Sequence, residues 1–388
     1  EFLTLEPLLA DTIYNVYKTF FLIPLFILSI CQAQTYKIGV ILSQTGQASQ
    51  VGGMQARALD VLEAQLRQSV FGRNIQLIIR DDASLPANTL REAQYLVETE
   101  NVLALVCCTL ETQSKAISDY VQTQNILTIA TSDIPDDEWL FTVKPDTRRY
   151  IQSIMLQLSR KGQQSIGVMT LDNSFGDTVQ NALDMLLTPG GMQLAVLQRY
   201  RPDVTVLTPE ALWVATRQPS SILVWGLQQD TTLAYNALRK RGFEKDVILN
   251  PALLDGVTIP TFYNNAVFPV PAVMVPTLPD TQPNYLESFR FVTAMATNYG
   301  PNRVGFRGAY AYDAVILVEH ALEQALTFGI PADDTANLRF ALRDALIGMP
   351  AYKGAAAVYD YSDSDNIGVD PYSLVLAKVV NGALVALP

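Results

Sequence analysis

Short apolar runs of strand length alternate with longer amphipathic segments through most of this 388-residue chain. The first pair shows the pattern, because Tyr36 to Leu42 is almost continuously apolar and Met54 to Gln68 repeats apolar residues three and four positions apart. Such alternation predicts βαβ units, in which parallel strands form a sheet and helices cover its faces. The chain is therefore expected to be an α/β protein.

The alternation covers four predicted strands, the last at Ile126 to Ala130, and starts again near Tyr150. A chain of 388 residues is also longer than one hydrophobic core usually serves. Both observations predict two doubly wound, Rossmann-like lobes.

Three segments are predicted to cross between the lobes: Phe141 to Tyr150, Val273 to Asp280 and Ile347 to Gly354. We therefore assign residues 35–148 and 277–348 to lobe 1, and residues 149–276 and 349–388 to lobe 2. Three connections of this kind would form a hinge with a cleft between the lobes, an arrangement that binds ligands by closure.

Further elements are predicted near these crossings. The segment Ala272 to Val275 is expected to be a strand, and Tyr285 to Tyr299 and Tyr310 to Leu326 are expected to be helices. A last pair of strands is predicted at Ala355 to Tyr361 and Ser373 to Val380. The second of them ends at Asn381-Gly382, a dipeptide typical of a hairpin turn.

The N-terminal region contains one long apolar run, Phe20 to Ile30, after Tyr17 and Lys18. It is too short to cross a bilayer but has the length of the apolar part of a secretory signal. Residues 1–33 are therefore predicted to be a signal peptide cleaved after Ala33, which implies export to the periplasm. The alternatives are lipidation of Cys31, a retained membrane anchor, a buried helix, or upstream read-through in the first sixteen or so residues.

Composition excludes several classes of function. The formal net charge is -11, which argues against a nucleic-acid partner. The one histidine, His320, lies inside a predicted helix, so Ser-His-Asp and Cys-His catalysis and zinc sites have no support. The loop Ser43 to Gly53 contains neither phosphate-binding glycine motif, so no cofactor is predicted.

Two adjacent pairs of residues are interpreted structurally. Cys107 and Cys108 are expected to be buried thiols, because neighbouring cysteines rarely form a disulfide of good geometry. Asp81 and Asp82 point to opposite faces of a strand, so we expect them to cap the chain locally or to pair with Arg91 rather than to share a substrate.

Polar residues recur where the predicted strands end, which is where ligands lie in open α/β sheets. In the first lobe these ends carry Ser43, Thr109, Thr131 and Ser132. In the second they carry Phe175, Trp225, Gln228 and the segment Asn250 to Asp255. Many hydroxyls and few charges suit hydrogen bonding to a small polar solute, and an aromatic ring could cover its apolar part.

Seven segments carry a resemblance to a known family. They are IGVILSQTGQASQVGG (Ile38 to Gly53), IQLIIRDDA (Ile75 to Ala83), LVCCTLETQ (Leu105 to Gln113), LDNSFGD (Leu171 to Asp177), LRKRGF (Leu238 to Phe243), FRGAYAYDAVILVEHAL (Phe306 to Leu322) and YKGAAAVYDYSDSDNIGVDPYSLVLAKVVNG (Tyr352 to Gly382). In this order they resemble the type I periplasmic solute-binding proteins of ABC transporters, specifically the branched-chain amino acid (leucine-binding) group.

The resemblance implies roles for particular residues. Thr109 matches a hydroxyl that holds the ligand's carboxylate, and the segment from Thr131 and Ser132 to Asp133 matches a second group of carboxylate contacts. Phe175 and Gln228 match positions that are aromatic in the family.

Two departures are visible. The acidic residue that binds the amino group in amino-acid binders falls near Ala252, with only Asp255 close by. A family cysteine falls at Ser84, which implies that Cys108 is free.

These observations predict a monomeric, non-enzymatic solute-binding protein. It would capture an amino acid, an amide or a short carboxylate by hinge closure and present it to an ABC transporter permease, its only link to the membrane. Ser43, Thr109, Thr131, Ser132, Phe175, Gln228 and Asp255 are the predicted ligand contacts. The alternatives are a ligand-sensing regulatory module of the same fold and an exported hydrolase.

Overall fold

The structure is a computed structural model that describes residues 35–66, 73–187, 191–254, 259–276 and 278–387. The predicted signal peptide, with Cys31, lies outside the described residues. Among the helices that are described, none combines the length and apolar character needed to span a bilayer.

The first lobe is built on a five-stranded parallel sheet. Its strands are β1 (Tyr36–Leu42), β2 (Ile75–Asp81), β3 (Ala104–Cys107), β4 (Thr128–Ala130) and β5 (Leu140–Thr142), and its first helices are α1 (Ser49–Leu66), α2 (Pro86–Gln94) and α3 (Glu111–Gln124). The order β2-β1-β3-β4-β5 places β1 and β3 side by side, with β4 next to β3. The carboxyl ends of β1, β3 and β4 are consequently neighbours at one edge of the sheet.

The second lobe repeats this construction. Its strands are β6 (Ser165–Leu171), β7 (Gln193–Tyr200), β8 (Ser221–Trp225), β9 (Asp246–Leu249) and β10 (Ala266–Pro271), and its helices are α4 (Thr147–Arg160), α5 (Ser174–Leu186), α6 (Thr208–Thr216) and α7 (Gln228–Lys240). All pairings among these five strands are parallel.

The chain then returns to the first lobe. Three helices follow, α8 (Tyr285–Tyr299), α9 (Phe306–Thr327) and α10 (Thr335–Gly348), and α9 packs against both α1 and α10. Gly308 permits the close approach of α9 to α1, because a Cβ atom there would lie 3.1 Å from the Met54 carbonyl oxygen. Two short strands come next, β11 (Tyr352–Lys353) and β12 (Val358–Tyr359).

A C-terminal hairpin completes the second sheet. Its strands are β13 (Leu374–Val380) and β14 (Ala383–Ala386), and β13 pairs antiparallel with β10. The turn residues Asn381 and Gly382 both have positive φ, at 52° and 79°, as a type I′ turn requires. The predicted hairpin and the predicted α/β architecture of two lobes are therefore confirmed.

The predicted strand Ala272 to Val275 is wrong. The strand is β10, which ends at Pro271, and Ala272–Met274 forms a single 3₁₀ turn. Prolines argue against a central strand because they lack an N-H donor. In β10 only Ala266 and Val267 pair with β9, so Pro269 and Pro271 need no donor on that side.

A buried carboxylate explains why most of the predicted strand Ala355 to Tyr361 is irregular. Asp313 of α9 is fully buried and accepts hydrogen bonds from the backbone amides of Ala355 at 2.6 Å and Ala356 at 2.8 Å. Tyr359 Oη donates to the same carboxylate at 2.8 Å. Burial raises the pKa of Asp313 to about 7, although these three donors favour its ionised form. Because these two amides donate to Asp313, they do not donate hydrogen bonds to a neighbouring strand.

Candidate functional site

Four of the predicted ligand contacts lie together at the carboxyl ends of the first sheet. Ser43 follows β1, Thr109 lies just beyond β3, and Thr131 and Ser132 follow β4. All four are buried, with exposed fractions of 0%, 5%, 2% and 4%. We call these four residues, with Gln55 and Gln113, the hydroxyl cluster.

Gln55, in the second turn of α1, bonds to hydroxyls that follow two of the strands. Its Oε1 accepts a hydrogen bond from Thr109 Oγ1 at 2.9 Å, and its Nε2 donates to Thr131 Oγ1 at 2.7 Å. Thr109 Oγ1 also accepts from the Ser43 amide at 3.2 Å, and Thr131 Oγ1 donates to the Cys108 carbonyl at 3.0 Å. One buried amide side chain therefore links the ends of β3 and β4, and Thr109 extends the link to the end of β1.

Gln113 of α3 completes the cluster. Its Nε2 donates to Ser43 Oγ at 2.8 Å, and Ser43 Oγ donates in turn to the buried carboxylate of Asp82 at 2.8 Å. Ser43, Thr109 and Thr131 thus each donate one hydrogen bond and accept one within the protein. Since a hydroxyl oxygen has two lone pairs, each of these three keeps one acceptor position.

The two acidic residues at the end of β2 are local caps. Asp81 Oδ1 accepts from the amides of Gln44 at 2.9 Å and Thr45 at 3.2 Å. Burial alone would raise the pKa of Asp81, but hydrogen bonds from the Thr45 hydroxyl and from backbone amides outweigh it and lower the pKa. The predicted pairing with Arg91 is wrong, because the Arg91 guanidinium contacts Glu92 at 3.2 Å.

The prediction of two free thiols is also wrong, because Cys107 and Cys108 form a disulfide with each other. Side chains alternate between the two faces only while a strand continues, and β3 ends at Cys107. The following residue can therefore turn its sulfur back toward its neighbour. Both residues are 1% exposed, and the Cys108 carbonyl accepts the hydrogen bond from Thr131 that ties the disulfide to the hydroxyl cluster.

A glycine in each lobe lets a helix begin against the strand that precedes it. A Cβ atom at Gly52 would lie 2.0 Å from the Ser43 carbonyl oxygen, and one at Gly176 would lie 1.8 Å from that of Leu171. No side chain fits at these distances. The N-termini of α1 and α5 are therefore held at the carboxyl ends of β1 and β6, where a helix dipole favours negative charge.

The structure describes two of the three predicted contacts of the second lobe. Phe175 is half-buried in the first turn of α5, and Asn173 Oδ1 caps that helix by accepting from the Phe175 amide at 3.0 Å. Gln228 begins α7. Asp255 lies outside the described residues.

A match to one family covers almost all of the described chain. The family model of periplasmic binding proteins matches residues 35–383. The chain belongs to the periplasmic binding protein family. The fold described above is the type I periplasmic binding protein fold of two lobes, as the sequence resemblance implied.

Solved structures agree with this assignment at the level of fold. The chain is similar to a putative branched-chain amino acid ABC transporter protein from Rhodospirillum rubrum, with 18% identity, a TM-score of 0.74, and coverage of 91% of this chain and 100% of that one. It is also similar to an extracellular ligand-binding receptor from Rhodopseudomonas palustris (20% identity, TM-score 0.71, coverage 92% and 100%). A leucine-binding protein from Thermotoga maritima matches at 17% identity and TM-score 0.65, with coverage of 91% and 98%. No curated protein sequence matches the chain.

In this periplasmic binding protein, the second lobe contains buried polar atoms that lack a hydrogen-bond partner. Tyr200 Oη at the end of β7, Thr231 Oγ1 in α7 and Trp225 Nε1 at the end of β8 are examples among the described residues. A Cβ at Gly226 would lie 2.3 Å from Tyr200 Oη and 3.2 Å from Thr231 Oγ1, so the first two flank the same backbone position. Burial raises the pKa of Tyr200, and Asp230 adds to the increase.

Aromatic contacts connect the lobes of the binding protein near these residues. The rings of Tyr150 in α4 and Trp225 are 5.7 Å apart between centroids. The hydroxyls of Tyr150 and Tyr310, which belongs to α9, are 3.4 Å apart. Tyr150 thus contacts both the second sheet and a first-lobe helix.

Sequence reasoning missed Gln55 and Gln113. Gln55 shares the buried stripe of α1 with Leu59, Leu62 and Leu66, at spacings of four and three residues. An amide on an apolar stripe is the signal that could have identified it, because a buried polar group requires partners. Gln113 has no comparable signal, because its role depends on the turn that precedes α3.

Proposed function

We propose that this periplasmic binding protein is the receptor component of an ABC transporter, which captures a small polar solute between its lobes and does not convert it. The observation that carries the proposal is the buried hydrogen-bond network at three strand ends, in which Gln55 bonds to the hydroxyls of Thr109 and Thr131 and the Ser43 amide donates to Thr109. This is the edge of an open α/β sheet at which ligands bind. The family membership supports the same class of function.

The cluster favours solutes that can donate hydrogen bonds. The hydrogens of Ser43, Thr109 and Thr131 already go to protein acceptors, whereas each oxygen keeps one lone pair. An amide or an ammonium group would use those lone pairs. A carboxylate would bind instead at the adjacent N-termini of α1 and α3. Amino acids and small amides satisfy both requirements.

Closure supplies the mechanism. A solute that contacts both lobes binds the closed form more tightly than the open form. The free energy by which it stabilises the closed form equals the difference between its two binding free energies. Phe175, Gln228 and Asp255 are the contacts we propose for the second lobe. The closed form is the one we expect a permease to recognise, and the exported, monomeric state of the receptor belongs to the same proposal.

A ligand screen tests the proposal. Purified protein would be heated with amino acids, amides, urea and short carboxylates, and a ligand that binds only the folded state raises the melting temperature. Small-angle scattering on the best ligand should show a smaller radius of gyration. No stabilising solute in any of these classes would contradict the proposal.

A variant pair locates the site. Thr109→Ala should weaken the best ligand by about tenfold or more, equivalent to about 1.4 kcal/mol. Thr123→Ala is the matched control, because its hydroxyl bonds only to the Asp119 carbonyl within α3. Equal affinity of both variants and the parent would remove the hydroxyl cluster from the site.

The alternative of a sensing module shares the same binding step. Genes for a permease and an ATPase beside this one would favour transport, and reconstitution of the protein with their products would distinguish the two functions. Solute-dependent ATP hydrolysis supports transport, and its absence together with a neighbouring histidine kinase gene supports sensing.

A further inference from the structure

The disulfide between Cys107 and Cys108 is bonded directly to the hydroxyl cluster. Because the two cysteines are adjacent, the S–S bond closes a small ring that includes the peptide bond between them. That ring restricts rotation about the backbone bonds at the carboxyl end of β3, which ends at Cys107. Breaking the S–S bond therefore also changes the freedom of the local backbone.

Two members of the hydroxyl cluster depend on this backbone. The Cys108 carbonyl, which accepts from Thr131 Oγ1 at 3.0 Å, belongs to the planar peptide unit that leads into Thr109. Thr109 Oγ1 accepts from the Ser43 amide at 3.2 Å and donates to Gln55 Oε1 at 2.9 Å. Rotation at Cys108 would therefore displace the contacts of Thr131 and of Thr109 together.

The sulfur atoms themselves lie in a packed apolar region. Both cysteines belong to a buried cluster with Ile41, Leu105 and Ile117, all of which are 0% exposed. When the S–S bond breaks, the two sulfur atoms must separate, and a close-packed core offers little room for them. We therefore expect the displacement on the hydrogen-bonded side, where the Cys108 carbonyl meets Thr131.

We propose that the Cys107–Cys108 disulfide is a redox modification site that controls the affinity of the hydroxyl cluster for its solute. A dithiol reductant forms its own disulfide and supplies two electrons and two protons, so that the S–S bond breaks and each cysteine sulfur gains one proton. The intact disulfide holds the cluster in its binding arrangement, so the reduced protein binds the solute more weakly. This inference rests on the proposed function, because it concerns the same site.

The coupling between solute and disulfide is reciprocal. If reduction weakens solute binding by about tenfold, the solute opposes reduction by the same factor, because the two equilibria form one thermodynamic cycle. For a two-electron couple, a factor of about ten corresponds to about 30 mV in reduction potential. A disulfide that only stabilised the fold would show no such dependence on solute.

Calorimetry on a Cys31→Ser background tests the switch, because Cys107 and Cys108 are then the remaining cysteines of the chain. Oxidised protein and protein reduced with dithiothreitol would each be titrated with the best solute from the ligand screen, and alkylation with mass spectrometry would establish the redox state of each sample. We expect affinity to be about tenfold weaker after reduction. The reduction potential should be about 30 mV lower in saturating solute.

The double variant Cys107→Ala/Cys108→Ala is the matched control, because it has neither sulfur atom. Its affinity should equal that of the reduced parent and should not respond to dithiothreitol, and thermal melting would establish that it is folded. Equal affinity of the oxidised and reduced parent would overturn the proposal. A disulfide that dithiothreitol does not reduce in the folded protein would overturn it as well.

Hydrogen exchange separates this inference from the proposed function, because it needs no solute. The Ser43 amide donates to Thr109, so reduction should speed its exchange by about fivefold or more. The amides of β8 (Ser221–Trp225) in the second lobe should not change. Unchanged exchange at Ser43 would overturn the switch even if a solute binds. Faster exchange at Ser43, with no solute found in the screen, would contradict the proposed function and support the link between the disulfide and the cluster.

Discussion

The two lobes share a parallel βα scaffold but finish their strands differently. In lobe 1 the hydroxyls at the ends of β1, β3 and β4 are buried and are bonded to Gln55, Gln113 and Asp82. In lobe 2 the corresponding region holds Tyr200 and Thr231, whose buried hydroxyls have no partner. The hydroxyls of lobe 1 are therefore held in fixed positions by bonds within the protein. In lobe 2 the hydroxyls of Tyr200 and Thr231 can still form hydrogen bonds to a ligand or to water.

The comparison predicts that polar substitutions inside lobe 1 are more costly than those in lobe 2. Asp313→Ala should show the largest effect, because it leaves the amides of Ala355 and Ala356 and the Tyr359 hydroxyl without their acceptor. We expect a loss of about 3 to 5 kcal/mol in the free energy of unfolding, measured by urea denaturation. A loss below about 1 kcal/mol would contradict the view that the stability of lobe 1 depends on these hydrogen bonds.

Asp313→Asn separates charge from hydrogen bonding. The pKa of Asp313 is raised to about 7 in the folded protein, above the value of about 3.9 for an unfolded aspartate. Between these pH values the folded state binds the extra proton, so the stability of the parent relative to the Asn variant should fall as the pH rises from about 4 to about 7. Above that range the difference should be constant. Taking the difference also removes the contribution of Glu319, whose pKa burial likewise raises to about 7.

The glycines test what the two lobes have in common. Gly52→Ala and Gly176→Ala should each destabilise the protein by about 2 to 3 kcal/mol, because their Cβ atoms would overlap backbone carbonyl oxygens. Gly53→Ala is the neighbouring control in α1, where an added Cβ meets only the end of Arg57 at 3.6 Å. That variant should be neutral or more stable by up to about 1 kcal/mol. A large difference between the Gly52 and Gly176 variants would show that the helix starts are not equivalent.

Gln55→Ala should cost about 2 kcal/mol, because it removes partners from Thr109 and Thr131 in a buried region. The same variant should weaken the polar ligand identified in the screen. Stability is measured by chemical denaturation and affinity by calorimetry. If neither changes, the hydroxyl cluster does not stabilise the fold and is not part of the binding site.

The smallest effect is expected in lobe 2. Tyr200→Phe removes a buried hydroxyl that has no partner, so the free energy of unfolding should change by less than about 0.5 kcal/mol or increase. Tyr359→Phe is the matched variant, because this buried hydroxyl bonds to Asp313 of lobe 1 and its loss should cost about 1.5 to 3 kcal/mol. Equal costs for the two tyrosines would remove the contrast between a buried hydroxyl bonded to lobe 1 and one that has no partner in lobe 2.

The sequence by itself determined the βα alternation, the two lobes, the Asn381-Gly382 hairpin and the position of hydroxyls at the strand ends. These follow from local periodicity and turn chemistry, which act over a few residues. It also placed Ser43, Thr109, Thr131 and Ser132 at one edge, because parallel strands in a doubly wound sheet end on the same side.

Only the tertiary structure decided which partners these residues meet. Gln55 reaches Thr131 across 76 positions of sequence, and the amides of Ala355 and Ala356 turn to Asp313 instead of forming a strand. The Cys107–Cys108 disulfide depends on where β3 ends, and a cavity of about 440 Å³ is lined jointly by residues of α1, α8, α9 and the C-terminal hairpin. Side-chain partners are set by strand register and helix packing, which local periodicity does not encode.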